Sequence, residues 1–203
     1  GAYKAIHSIG KVTLNLYRGT VFASNHNAIH LGSIGGSSTL TIGDMTTTSN
    51  TLKIISGGSS SYAIAINGTS SEYATLKING GFMGGNSGLA YTTSYTNVTI
   101  NGELGDYPLY YDGTTYAGKV VYAASVTSGS TTTYFESIPN AFSTLNTSTK
   151  TIKLLKNYNG NITLNNVKAI IDLNGKGIYY SGSASTLTIT GSTSNVTIKD
   201  TSS

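Results

Sequence analysis

The 203-residue sequence contains no cysteine and no tryptophan, and only two prolines. Without cysteine the chain can form neither disulfides nor thiolate metal sites, and the thiol hydrolases are excluded. The fold must therefore be held together by repetition or by burial alone.

Charge is also scarce. Charged residues make up 10% of the chain, against about 25% in average soluble proteins. The 12 basic residues outnumber the 8 acidic ones, giving a net charge of +4, but they are scattered, and Lys150, Lys153 and Lys156 are the only cluster. Because nucleic-acid binders usually concentrate their positive charge, no nucleic-acid partner is predicted.

Long apolar runs are missing as well. No run approaches the 18 or so residues of a membrane span, so none is predicted. The first residues, "GAYKAIHSIG", lack the apolar segment of a signal peptide. If the protein is exported, we expect its signal to have been removed before this sequence begins.

Serine and threonine number 58 and glycine 25, yet 38% of the residues are hydrophobic. The apolar residues fall in short alternating runs closed by Asn, Gly or Asp, which indicates strands rather than disorder. Leu40, Leu52, Ile64 and Leu76 follow one another at intervals of twelve residues. This rhythm fits either a β-sandwich or a parallel β-helix.

Asn-Gly pairs at 67, 79 and 101 help to separate the two architectures. Asn-Gly usually marks a hairpin, but the residues after each pair ("TSSEYA", "GFMGGNSG", "ELGDYP") do not read as return strands. We therefore interpret each pair as a solenoid corner that needs a positive φ. Successive coils would then stack Leu on Leu and Asn on Asn. The recurrence of "TLKI" (51–54 and 75–78) and "TLTI" (39–42 and 186–189) also favours the solenoid over the sandwich.

The repeat pattern is interrupted between 116 and 150. "VTSGSTTT" reads as a surface loop, and the apolar spacing of Phe135, Ile138, Phe142 and Leu145 with Pro139 predicts one short helix near 137–146. A repeat array needs its open end covered. The helix is therefore predicted to cap a second unit, with domains at 1–116 and 117–203.

The second unit carries a motif. A short helix precedes "TIKLLKN" (151–157), "DLNGK" (172–176) and "TIKD" (197–200), and this order resembles the right-handed parallel β-helix repeat modules of large bacterial cell-surface proteins, which have the pectate-lyase-like fold. The resemblance covers roughly 119–203, whereas 1–116 matches only as generic coils. It implies an all-β, right-handed parallel β-helix in a secreted or cell-surface protein that is adhesive or glycan-binding. It transfers no catalytic residues.

Acidic residues offer one alternative. Only Glu103, Asp106 and Asp112 cluster, within "ELGDYPLYYDG". Since polysaccharide lyases need acids that bind Ca²⁺ and glycoside hydrolases need paired carboxylates, these three are the candidate catalytic residues of such an enzyme. The simpler interpretation is a polar loop around Pro108.

Histidines give little support to a metal site. His26 and His30 have the spacing of a helical zinc pair, but "SNHNAIHLG" reads as turn and strand, where four residues span roughly 13 Å. His7 has no evident partner. No metal and no cofactor are predicted.

Fifteen tyrosines are the remaining feature. Tyr107, Tyr110, Tyr111 and Tyr116 lie within ten residues, and exposed rings flanked by polar groups could stack on a sugar. The alternative is that they only cover a β surface. The prediction is a non-enzymatic structural or adhesive module, a monomer within a multi-module chain, that binds cell-surface or dietary polysaccharide through these four tyrosines.

Overall fold

The structure is a computed structural model that describes residues 4–45 and 52–202. It is all-β with one short helix, and its contacts divide the chain into two compact units. The first unit contains the described parts of 1–44, 50–100 and 104–121, and the second contains most of the rest, chiefly 122–202. Each unit is described by itself.

The first unit is built from short strands that recur along the chain. They are β1 (Ile6–Gly10), β2 (Thr13–Leu16), β3 (Thr20–Ala23), β4 (Ile29–Ile34), β5 (Thr39–Ile42), β6 (Lys53–Ser56), β7 (Tyr62–Ile66), β8 (Ala74–Ile78), β9 (Phe82–Gly84), β10 (Gly88–Thr92), β11 (Thr96–Ile100), β12 (Glu103–Tyr111) and β13 (Thr114–Tyr122).

These strands form three sheets, in which neighbours are three elements apart in sequence. The orders are β1-β4-β7-β10, β2-β5-β8-β11 and β3-β6-β9, and the pairings within these runs are parallel. Parallel strands need crossovers, whereas a sandwich is assembled from antiparallel pairs. The arrangement is therefore consistent with a β-solenoid and does not fit the sandwich alternative.

The register aligns similar residues on neighbouring strands, as predicted. Leu14 pairs with Leu40, Leu40 with Leu76, and Leu76 with Val98. A second ladder runs from Leu16 through Ile42 and Ile78 to Ile100, and a third from Val21 through Ile54 to Met83. The middle members are fully buried, so the ladders form the core of the first unit.

The twelve-residue interval between apolar residues does not separate residues that pair with each other. Leu40 and Ile64 belong to different sheets, whereas the partner of Leu40 is Leu76, 36 positions later. The interval thus tracks successive sheets around one turn. The spacing between partners also varies, since only 23 positions separate Ile6 from its partner Ile29.

The Asn-Gly corners are explained only in part by positive φ. Gly102 has a φ of 138°, but at 79–81 the residue with positive φ is Gly81 (110°), and Gly68 has none. A side-chain carbon on Gly68 would instead overlap the carbonyl oxygen of Tyr95. Glycine is required there because the backbone of the neighbouring coil passes too close for any side chain.

The second unit repeats the scheme with fewer strands. They are β14 (Ala124–Ser128), β15 (Thr131–Phe135), β16 (Lys150–Leu154), β17 (Tyr158–Asn159), β18 (Ile162–Asn165), β19 (Lys168–Asp172), β20 (Ile178–Tyr179), β21 (Leu187–Thr190) and β22 (Asn195–Lys199). Strands β16, β19 and β22 pair in parallel, as do β17 with β20 and β18 with β21. The predicted surface loop "VTSGSTTT" is wrong, because β14 and β15 form an antiparallel hairpin across it, and β14 also pairs antiparallel with β16.

The predicted helix is present but shorter than expected. Helix α1 spans Ile138–Phe142, and the Ser137 side chain caps its first turn by accepting from the backbone N–H of Asn140. Ile138, Ala141 and Phe142 are buried in a cluster with residues of β14, β16, β18 and β19. The helix thus covers the first strands of the second unit.

A buried carboxylate fixes one corner of this unit. Asp172, only 5% exposed, accepts hydrogen bonds from the Thr201 hydroxyl (2.6 Å), the Thr201 N–H and the Asn174 N–H (both 3.1 Å). Burial opposes ionisation, but these hydrogen bonds and the nearby Lys199 outweigh it and lower the pKa of Asp172. The Asn174 amide in turn donates to the Leu154 carbonyl (2.9 Å), so this corner links successive coils.

Leu76→Ala tests the ladders. Leu76 is fully buried in the middle of its ladder, whereas Val98, at the end of the same ladder, is 46% exposed. We expect Leu76→Ala to lower the free energy of unfolding of the first unit by about 2–5 kcal/mol, and Val98→Ala by about 1 kcal/mol or less. Denaturant unfolding, with hydrogen exchange to assign the transition, measures both. Equal losses would contradict the ladder as the core.

Asp172→Asn tests the corner through its pH dependence. Because the folded state lowers this pKa, the stabilisation is present above the ordinary value near 3.8 and is lost as the pH falls through the folded value. The variant should lose about 1–3 kcal/mol at pH 7 and lose less than the parent between pH 4 and 2. Thermal melts across pH measure this, with Asp112→Asn, at an exposed carboxyl, as the control that should keep the parent's stability at pH 7.

Candidate functional site

The segment with the predicted acids and tyrosines is a β-hairpin. The expectation of a polar loop is wrong, because β12 and β13 are adjacent in the third sheet and joined by Asp112-Gly113. Asp112 (φ 48°) and Gly113 (φ 77°) both have positive φ, as a type I′ turn requires. Asp-Gly reaches this conformation at low cost, which is why the chain reverses here.

The hairpin replaces the parallel strand that would continue the third sheet. Strand β13 pairs antiparallel with β9, placing Gly118 opposite Gly84 and Val120 opposite Phe82. The sheet order is therefore β12-β13-β9-β6-β3. The repeat of the first unit is broken at this strand, and the hairpin presents side chains that no earlier coil presents.

Three aromatic residues of the hairpin pack against other side chains. Tyr116, 7% exposed, forms a buried cluster with Leu109 and Ile55. The Tyr111 ring stacks on Phe22 with centroids 4.3 Å apart. The Tyr107 ring lies 5.2 Å from that of Phe82. These contacts hold the hairpin against the third sheet.

The four predicted tyrosines do not form one surface. Tyr107 and Tyr110 are 45% and 63% exposed, but they are three positions apart on β12, so their side chains leave opposite faces of the strand. Tyr116 is buried, and Tyr111 is half-buried. Only Tyr107 and Tyr110 therefore offer rings to solvent.

A cleft of about 460 Å³ lies beside the hairpin, and we call it the hairpin cleft. Its lining is mostly apolar and includes Leu89, Asp106, Tyr107, Pro108, Tyr116 and Lys119. The structure thus brings Asp106, Tyr107 and Tyr116 together, while Glu103, Tyr110, Tyr111 and Asp112 are not part of the lining. Apolar walls with a few polar groups are typical of small-ligand sites.

Asp106 and Lys119 supply the charge of the hairpin cleft. Their side chains form an ion pair and are 83% and 42% exposed. Counting outwards equally from the Asp112-Gly113 turn places Asp106 directly opposite Lys119. An exposed pair contributes only about 0–1 kcal/mol to stability, so both groups can exchange this contact for a ligand at little cost.

Two of the three candidate acids lie on β12, and the third lies in the turn that follows it. Glu103 and Asp106 are three positions apart and so lie on opposite faces of β12. Asp112 is six positions beyond Asp106, which corresponds to roughly 20 Å along a strand. Paired glycosidase carboxylates are about 5–10 Å apart. Nothing in this spacing favours the hydrolase hypothesis.

Sequence reasoning missed Leu89, Pro108 and Lys119 as lining residues. Leu89 could not have been assigned from sequence, because it lies on β10 and only the folded structure places it beside residues of β12 and β13. Lys119 could have been, since recognising Asp112-Gly113 as a hairpin turn would have paired it with Asp106. The signal was present in "LYYDGTTY" as two alternating runs around Asp-Gly.

Comparison of the chain with protein-family models, with curated proteins and with solved structures gives no significant match. The resemblance of 119–203 to bacterial β-helix modules therefore stays a prediction. Among the described residues, no helix has both the length and the apolar character needed to cross a membrane.

Gly113→Ala tests the turn that presents the cleft. Nothing lies within 4 Å of the position that an added side-chain carbon would take, but φ is +77°, so strain is the only expected penalty, about 1–2 kcal/mol. We expect faster amide hydrogen exchange in β12 and β13 and unchanged exchange in β5 and β8. Thr114→Ala, at the next position, is the control. Unchanged exchange in β12 and β13 of Gly113→Ala would contradict the assigned turn.

Proposed function

We propose that the chain is a right-handed parallel β-helix segment of a secreted or cell-surface bacterial protein, acting as a structural or adhesive module rather than as an enzyme. Two observations support this. Strands three elements apart pair in parallel with similar residues in register, and the motifs of 119–203 follow the order found in such modules. The sheets provide a rigid support, and the segment that departs from the repeat is the natural carrier of recognition.

The proposed ligand is a glycan, and the proposed site is the hairpin cleft. The observation that carries this is a mostly apolar cleft whose lining includes Tyr107, Asp106 and Lys119. Because Asp106 and Tyr107 are adjacent on β12, their side chains leave opposite faces of the strand, and a glycan that contacts both crosses the free edge of β12, the end strand of its sheet. A sugar ring has an apolar face that stacks on an aromatic ring, while its hydroxyls need polar partners. Asp106 accepts and Lys119 donates hydrogen bonds, so the pair can serve both kinds of hydroxyl contact.

Tyr110 offers a second contact outside the hairpin cleft. It is the most exposed tyrosine of the chain's described residues, and it leaves the opposite face of β12 from Tyr107. A long polysaccharide could touch both rings by passing along the hairpin, whereas a single sugar could not. The proposal therefore favours a polymer such as cell-surface or dietary polysaccharide.

The rival function, a lyase or hydrolase acting through Glu103, Asp106 and Asp112, predicts a different result. Those acids would have to act together, yet Asp106 is paired with Lys119 and Asp112 occupies the turn. Release of reducing or unsaturated ends from a bound polysaccharide would favour the enzyme. Binding without product release favours the module.

A glycan array with variants tests the proposal. Tyr107→Ala should lower the apparent affinity for bound glycans by about tenfold or more, because one aromatic stacking contact contributes about 0.5–1.5 kcal/mol beyond its area burial, and loss of that burial adds to it. Tyr110→Ala should weaken binding to long chains more than to short ones. Affinity electrophoresis and calorimetry on the array hits give the values.

Tyr17→Ala is the matched control, since Tyr17 is also exposed (46%) and does not line the hairpin cleft. Its binding should equal that of the parent. Glycan binding that survives Tyr107→Ala, or that Tyr17→Ala reduces equally, would refute the site, and absence of any glycan hit would refute the glycan function.

A further inference from the structure

Two histidines that are far apart in sequence are direct neighbours in the first unit. His7 on β1 and His30 on β4 are partners in the parallel register, and their ring centroids are 5.3 Å apart. Two imidazoles that bind one metal ion tetrahedrally through bonds near 2.1 Å have centroids about 5 Å apart. The pair therefore already has the separation of two ligands of one ion.

Asn67 brings a third group to the same place. Its side-chain nitrogen is 3.4 Å from Nε2 of His30, which is long for a hydrogen bond but close to the distance of about 3.4 Å between two ligands of a tetrahedral ion. The Asn67 oxygen and Nδ1 of His30 are buried without a hydrogen-bond partner. Rotating the amide by 180°, an assignment that exchanges its N and O, turns this unsatisfied oxygen towards Nε2.

Only one nitrogen of His30 is placed to bind the same ion as Asn67. A ring nitrogen binds a metal through a lone pair. Nε2 lies next to the Asn67 amide, whereas Nδ1 is buried.

We propose that His7, His30 and Asn67 bind one divalent transition-metal ion of the kind that prefers imidazole, namely Zn²⁺, Ni²⁺ or Cu²⁺, with water in the fourth position. Within the described residues no group of three or more His, Cys, Asp or Glu could hold a metal, so the third ligand has to be the amide oxygen. The site is independent of the proposed glycan function. It lies on the first sheet, whereas the hairpin cleft lies at the third.

The positive charge of Lys4 raises the alternative that the site binds an anion instead of a metal ion. The Lys4 ammonium acts on His30 and disfavours a cation, while it would favour an anion such as sulfate or phosphate. The Asn67 oxygen favours the metal, because a buried acceptor without a hydrogen-bond partner needs a positive partner, which an anion does not supply. We therefore expect a specific site of moderate affinity.

NMR of the imidazole carbons with ZnCl₂ tests the site on the whole chain. The chain has three histidines, and His26, which is exposed and is not a register partner of either member of the pair, is the internal reference. We expect signals of His7 and His30 to shift together and saturate at one equivalent while His26 does not move. Sodium phosphate and sodium sulfate, added separately, should not produce this pattern.

Calorimetry on variants completes the test. His7→Gln and His30→Gln should each weaken Zn²⁺ binding by at least about tenfold, since even changes in the groups around metal ligands cost 10–100-fold, whereas His26→Gln should not change it. Asn67→Asp should tighten binding, because a carboxylate replaces the amide oxygen; circular dichroism checks that each variant is folded. Equal shifts of all three histidines, unchanged affinity in His7→Gln, weaker binding in Asn67→Asp, or a response to phosphate or sulfate instead of Zn²⁺ would overturn the proposal.

Discussion

Parallel pairing between strands three elements apart is the constraint on which the rest of each unit depends. It forces a residue to lie next to the residue at the same position of the next turn, so that a core forms only if those positions carry similar apolar side chains. Leu14, Leu40 and Leu76 meet this requirement in one ladder. The chain has no thiols and few charges, so the apolar side chains buried in the ladders supply the driving force for packing the sheets together.

This constraint explains which parts of the fold were predictable. Strand alternation and the recurrence of "TLKI" are local signals, and they were sufficient for an all-β, parallel, repetitive interpretation. The single helix was predictable because Ser137 and Pro139 begin it and the apolar spacing follows. The number of sheets was not predictable. Strands that recur every twelve residues could be successive strands of one turn or equivalent strands of successive turns.

The two hairpins were missed for a different reason. Asp112-Gly113 and Gly129-Ser130 are recognisable turn pairs, but the segments that contain them are predicted as a polar loop and a surface loop. The Asn-Gly corners show that the same dipeptide can be required for different structural reasons. Gly102 is needed for its positive φ, while Gly68 is needed because the Tyr95 carbonyl lies beside it, and only the neighbouring coil decides between the two.

The register that aligns the apolar residues of the core also determines which polar side chains are neighbours on the outer faces of the sheets. Alternation turns Leu and Ile inwards on a strand and leaves the residues between them outside, so His7 and His30 are brought together by the pairing that aligns Ile6 with Ile29. Their separation of 23 positions carries no local signal, which is why the sequence alone leaves His7 without an evident partner. Sites of this kind cannot be found by motif spacing, because the spacing varies from one turn to the next. They can be found by fixing the apolar ladders first and then asking which polar side chains the resulting register places side by side.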